Sequence, residues 1–170
     1  MDKELTNAAG SGSAAFFDLV RSGWKFRLFM LKNLPAAFFS GLKLEYVDAN
    51  KSAISIPFKW LTQNPFRSTY FASLSMAAEM STGILCMAHI YKRTPAVSML
   101  VTEIKGKFYK KATGTTVFEC IQGEDIKNTV QQALLSQESH SISVLSSGYN
   151  RNKDLVAEFW ITWSFKVKAH

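Results

Sequence analysis

Glu79 is the only formal charge between Arg67 and Lys92, in a stretch that reads NPFRSTYFASLSMAAEMSTGILCMAHIYKR over residues 64–93. At helical spacings its neighbours are Ala72, Ser75, Met76, Thr82, Gly83 and Cys86, most of them small. The other side carries Phe71, Leu74, Ala78, Ile84 and Leu85. A slim helix face with one carboxylate admits a second backbone or a narrow ligand. Desolvation would raise the pKa of that carboxylate and make it a usable acid or base near neutral pH. A glutamate on the outer edge of the helix would do neither, and the spacing alone leaves both readings open. Asn64, just before Pro65, reads equally as a helix cap or as a group that positions water or substrate. Ser75, Ser81 and Thr82 are hydroxyls within reach of the same stripe, although such residues often bond back to their own helix.

Other chemistry-bearing residues are sparse. His89 lies a turn beyond Cys86 near the helix end and reads as a capping or core histidine. His140 and His170 have no evident partner, Cys86 and Cys120 lie far apart, and His89 is the one Cys or His close to either of them. Neither a metal site nor a disulfide framework is expected. The net charge of +7 suits a phosphate-bearing small molecule. The lysines are scattered, so nucleic acid is not expected. The apolar run FRLFMLKNLPAAFF is broken by Arg27, Lys32 and Pro35 and makes a poor membrane span. The start MDKEL is acidic, unlike a signal peptide, and the expected location is the cytoplasm.

The elements that must position these residues follow from periodicity. The 170-residue length suits a single domain. Residues 1–13 end in Gly-Ser-Gly-Ser and read as a mobile segment. Residues 14–41 form a helical extension, in which Phe16, Phe17, Val20, Trp24, Leu28 and Leu31 make one apolar stripe. Arg21, Lys25 and Lys32 would then form its basic outer face, the helix acting as a lid on the domain or, as the alternative, lying on a membrane surface. Pro35 restarts a short turn that Gly41 ends. Residues 42–170 form the main domain. A hairpin around Asp48-Ala49-Asn50-Lys51 comes first, followed by a long helix over 66–91 started at Pro65. A strand after Pro95 places Val97, Met99, Val101, Glu103, Lys105 and Lys107 on one face. A strand over 115–121, a short helix over 123–137 and a hairpin of 139–146 with 155–167 complete the chain. A long helix that is apolar all round needs burial all round. The architecture is therefore α+β, a curved antiparallel sheet wrapped around one central helix.

The stretch containing Glu79 resembles the hotdog-fold acyl-CoA thioesterase superfamily, on the branch similar to PaaI-type phenylacetyl-CoA thioesterases. In that branch an Asn stands six residues before a His-Gly-Gly, and an acidic residue follows the His by nine. Asn64 stands six before Tyr70, and Glu79 stands nine after it. The strand VSMLVTEIKGKFYKKATG and the helix-then-hairpin ending also resemble the family, over roughly residues 35–168. Tyr70-Phe71-Ala72 replaces the family's His-Gly-Gly. The resemblance implies hydrolysis of an acyl thioester, with Glu79 as general base or nucleophile and Asn64 positioning water or carbonyl. It implies that Tyr70, Phe71, Ala72, Ser75, Thr82 and Gly83 surround the substrate. Arg93, Lys105, Lys107, Lys110 and Lys111 are candidates for the coenzyme A phosphates. It implies a homodimer or a dimer of dimers with the site between subunits, acyl-CoA or another acyl thioester as partner, and no cofactor beyond the coenzyme A of the substrate. The changed Tyr70-Phe71-Ala72 keeps open an alternative, a non-catalytic hotdog protein that binds an acyl group or lipid.

Overall fold

The computed structural model describes the backbone of residues 2–168 and the side chains of residues 12–168; Met1, Ala169 and His170 lie outside the described residues. Three helices, α1 (Asp2–Arg21), α2 (Gly23–Asn33) and α3 (Pro35–Ser40), lead into the hairpin of β1 (Lys43–Val47) and β2 (Ser52–Ile56). A 3-10 turn at Trp60–Thr62 and an irregular loop precede the long helix α4 (Phe71–Ile90). Then come β3 (Val97–Phe108), β4 (Thr116–Cys120), α5 (Gly123–Ser136), β5 (His140–Tyr149) and β6 (Leu155–Val167). The six strands form one antiparallel sheet in the order β1-β2-β4-β5-β6-β3.

The sheet curves around α4. On β6, Phe159, Ile161, Trp163 and Phe165 alternate inward and are buried, and Ile54, Ile56, Phe118 and Val144 join them from β2, β4 and β5. Removing each of these large side chains from water contributes about 1.5–3 kcal/mol. From Ala77 to Cys86, α4 is buried at every position but Glu79. Alone among the described helices it is long and apolar enough to cross a membrane, yet the sheet already surrounds it. A chain of buried hydroxyls ties it down. Ser52 Oγ donates to the Ser81 carbonyl, and Ser81 Oγ meets Ser146 Oγ at 2.7 Å.

Four local expectations change. Helix α1 continues through Gly10-Ser11-Gly12-Ser13 where the composition suggests loose chain. There the small residues serve close packing: a Cβ on Gly12 would clash with the Tyr91 carbonyl oxygen, and Ser13 Oγ donates to the Ala88 carbonyl at 2.6 Å. The N-terminal extension is also no single helix, because the chain breaks at Ser22. Beyond the break Phe26 and Met30 turn inward, and Trp24, Leu28 and Leu31 face outward. The stripe expected to be core is thus split between core and surface.

Pro65 does not start α4, which begins at Phe71 after a loop built around Asn64. Finally, β3 does not keep one alternating face. The register steps between Val101 and Glu103, leaving Thr102 as an extra residue opposite β6. Val97, Met99 and Val101 face α4 with their partner Trp163, whereas Glu103, Lys105 and Lys107 lie on the outer face beside Thr162, Trp160 and Glu158. A bulge of one residue reverses side-chain parity.

Candidate active site

The loop before α4 is organised by Asn64. Its Oδ1 accepts from the amides of Phe66 at 3.0 Å and Ser68 at 3.2 Å, and its Nδ2 donates to Ser68 Oγ at 3.1 Å. An Asn side chain in place of a backbone acceptor makes such a turn. Asn64 is therefore a loop-former six residues ahead of the helix, and Tyr70 is the N-cap. Among the described residues no side chain caps the helix there. The amides of Phe71 and Ala72 thus keep the open donor positions common to helix starts, at the positive end of the helix dipole. Beside this helix start lies a groove of about 430 Å³ whose lining includes Asn64, Tyr70, Phe71, Lys110 and Lys111. The Tyr70 and Phe71 rings meet edge to face with centroids 4.8 Å apart, and both rings are exposed. Half-buried Ala72 follows them on the first turn of the helix.

Glu79 lies two turns further along α4, on the wall of a second cavity of about 210 Å³. The other walls are apolar except for Asn33, whose amide group donates to the Phe29 carbonyl at 2.9 Å. Phe16 and Val20 come from α1, Phe26 and Phe29 from α2, and Met99 from β3. Among the described residues no hydrogen bond or ion pair reaches the Glu79 carboxylate, and burial pushes its pKa up. Gly83 makes the space for it: a Cβ there would lie 3.2 Å from Glu79 Oε1 and 3.4 Å from the Trp163 ring. The Trp163 indole and the Glu79 carboxylate thus flank the same glycine. A carboxylate with a burial-raised pKa on a cavity wall is a candidate functional group.

The remaining candidates separate. Thr82 is fully engaged, donating to the Glu79 carbonyl at 2.9 Å and accepting from Trp163 Nε1 at 2.9 Å. Ser75 bonds back to the Phe71 carbonyl at 3.0 Å. Both hydroxyls hold structure, and Gly83 alone of the three adjoins the carboxylate. Lys110 and Lys111 adjoin the groove, where Lys110 also pairs with Asp154 at 2.9 Å. Lys105 and Lys107 lie on the outer face of the sheet, with Lys107 over the Trp160 ring. Arg93 lies past the other end of α4 and donates to the His89 carbonyl at 3.1 Å. These three cations therefore do not converge on the groove, the bulge at Thr102 and the length of α4 being the reasons.

His89 is a core histidine. Its Nε2 is buried without a partner among the described residues, and burial lowers its pKa. His140 Nε2 meets Ser136 Oγ at 2.9 Å on the surface. Among the described residues no group of three His, Cys, Asp or Glu could hold a metal ion. The sequence did not single out Trp163 as the indole beside Glu79, nor the wall that α1 and α2 supply. The alternating aromatics of β6 were the available sign of the first, but alternation names a face and not a neighbour.

Among curated proteins none matches this chain by sequence. Solved structures do match by shape. A candidate thioesterase of Pseudomonas aeruginosa aligns with a TM-score of 0.72 at 18% identity, covering 85% of this chain and 95% of that one. A thioesterase family protein of Silicibacter pomeroyi aligns with a TM-score of 0.61 at 11% identity, covering 84% and 96%. The PaaI protein of the Escherichia coli phenylacetic acid degradation operon aligns with a TM-score of 0.60 at 13% identity, covering 89% and 96%. At these identities the likeness establishes the hotdog fold. Residues 24–165 match the domain of unknown function DUF4442. With most of its length in that match and its sheet wrapped on α4, the chain belongs to the DUF4442 family of hotdog proteins.

Proposed function

We propose that this protein hydrolyses an acyl thioester, with Glu79 as the group that activates water or attacks the carbonyl. The observation that carries the reading is an unpartnered, desolvated carboxylate on the wall of an apolar cavity. The cavity has the bulk of about seven waters at ~30 Å³ each, which suits a short acyl or aryl group. The open amides of Phe71 and Ala72 suit the developing oxyanion. Lys110 and Lys111 suit the phosphates of coenzyme A. Acyl-CoA is accordingly the substrate we favour, and hydrolysis of it requires no further cofactor.

Within one chain Phe71 and Glu79 stand eight helical residues apart, about 12 Å at ~1.5 Å per residue. One carbonyl does not reach both. A second copy, which would bring its own α4 to the same carbonyl, removes the difficulty. β3 is a 12-residue edge strand that leaves Leu100, Ile104 and Phe108 exposed, a surface suited to a homodimer. The free, buried Cys86 and Cys120 suit a reducing cytoplasm. The exposed Tyr70–Phe71 pair at the helix start favours a second reading, acyl binding without turnover.

The test is release of free thiol from a panel of short, long and aryl acyl-CoAs by wild type and Glu79→Gln. We expect turnover that falls about 10²–10⁴-fold in the variant. Because burial raises the pKa of Glu79, the wild-type rate should climb with pH until the carboxylate is ionised, with its midpoint above the ordinary carboxylate range. Saturable binding with no turnover in either protein would favour the binding reading.

A further inference from the structure

The outer face of α2 has the wrong chemistry for a helix that faces only water. At about 100° per residue, Phe26 and Met30 define the buried side. Trp24, Leu28 and Leu31 fall on the opposite side, exposed by 68%, 58% and 42%. Lys25 and Lys32 flank this stripe on one edge and Arg27 flanks it on the other. A solvent-facing helix would carry its polar residues where this one carries Trp and Leu. Arg27 lies over the Phe38 ring at 5.1 Å and Lys25 over the Trp24 ring at 5.7 Å, but the proposed chemistry uses none of these side chains.

We infer that α2 docks the protein on an anionic lipid bilayer, with Trp24, Leu28 and Leu31 entering the interface and Lys25, Arg27 and Lys32 meeting the headgroups. Charge decides among the occupants of this face. No acidic residue occurs between Asp18 and Glu45, while Lys25, Arg27, Lys32 and Lys43 all fall within that span. Among the described ion pairs none involves these four cations. A second copy seated on the same face would bring like charges together. A bilayer with anionic headgroups supplies the missing sign, and an apolar stripe edged by Lys and Arg is the pattern of a helix lying in a membrane interface. The neighbouring surface continues the theme. Phe39 and Trp60 are exposed by 57% and 80%, and Lys59 Nζ joins their elements by donating to the Phe39 carbonyl at 2.8 Å.

The test is co-sedimentation of the full chain with phosphatidylcholine vesicles, with and without phosphatidylserine. Wild type should bind the phosphatidylserine vesicles and release as salt rises. Lys25→Gln/Lys32→Gln should bind about 30-fold more weakly, because each substitution removes one lysine's attraction to the headgroups. Trp24→Ser/Leu28→Ser should bind at least ~100-fold more weakly, since two apolar side chains no longer leave water. The altered positions are exposed, and an unchanged melting temperature should confirm folding. Absence of wild-type binding, or equal binding by all three proteins, would overturn the inference. So would a fall in mass by light scattering in Trp24→Ser/Leu28→Ser, which would assign the face to a second copy.

Discussion

Replacing Gly83 with alanine adds one methyl group where α4, Glu79 and Trp163 converge, and its effects on stability and on catalysis should have opposite signs. A glycine in a helix interior costs about 1 kcal/mol relative to alanine. The new Cβ would stand 3.4 and 3.5 Å from the Trp163 ring, ordinary contact that adds little strain. It would stand 3.2 Å from Glu79 Oε1. That oxygen ends a flexible side chain and can retreat by a few tenths of an ångström at small cost. The net should be a gain of about 0.5 kcal/mol, or roughly 1–2 °C in melting temperature for a chain of this size. The retreat nevertheless displaces the carboxylate proposed to react. Since a misplacement of ~1 Å can cost about 10²-fold, a shift of a few tenths should lower kcat/KM several-fold to tenfold. Differential scanning calorimetry and thiol-release kinetics on the same preparation give both numbers. A destabilised variant, or one stabilised with full activity, would refute the placement of Glu79 against Gly83.

Two further predictions follow from single side chains. Asn64→Ala should cost about 1–2 kcal/mol, because the Phe66 and Ser68 amides lose their acceptor at a partly exposed site, whereas Asn64→Asp should retain most of that stability; thermal melts of the three proteins compare them. His89 is held neutral by burial, with Lys127 and Arg93 adding to the downward shift, the Gly123 backbone opposing it and Glu124 opposing it further. The unfolded chain takes up a proton near pH ~6.5, so the stability that His89 contributes is present above that pH. It is lost as pH falls from there towards the lower folded value. Glu79 acts with the other sign, since its raised folded pKa relieves a penalty as pH falls. Melting temperature against pH from about 7.5 to about 5 should therefore fall less in His89→Gln than in wild type.

The order of elements was legible because each announces its own period. β6 alternates large apolar residues at Phe159, Ile161, Trp163 and Phe165, and α5 repeats Ile126 and Val130 at four. Gly41 ends α3 in the left-handed conformation, φ 81°, as its position suggests. Sequence and structure part where periodicity continues across a break. The spacings of Val20, Trp24, Leu28 and Leu31 extend one helical stripe, and nothing local in Ser22-Gly23 announces that α2 will present its Phe26 side instead. The start of α4 was misplaced because Asn-Pro serves a turn as well as it serves a cap. Glu79 could be singled out by its isolation in an apolar run. That α1 and α2 would close over it depends on tertiary packing, which spacing does not encode.

The extra residue at Thr102 divides β3 into two halves of opposite parity. Ahead of it, Val97, Met99 and Val101 line the inside; beyond it, Glu103, Lys105 and Lys107 decorate the outside, while Ile104 and Phe108 share the inner side by register yet remain exposed. The charge pattern of the outer surface and the apolar lining beneath it are therefore set by a single chain length rather than residue by residue. Substitution along this strand alters one surface at a time. Loss or gain of one residue would exchange both together, turning lysines towards α4 and apolar side chains towards water. This strand is therefore more sensitive to insertion and deletion than to substitution.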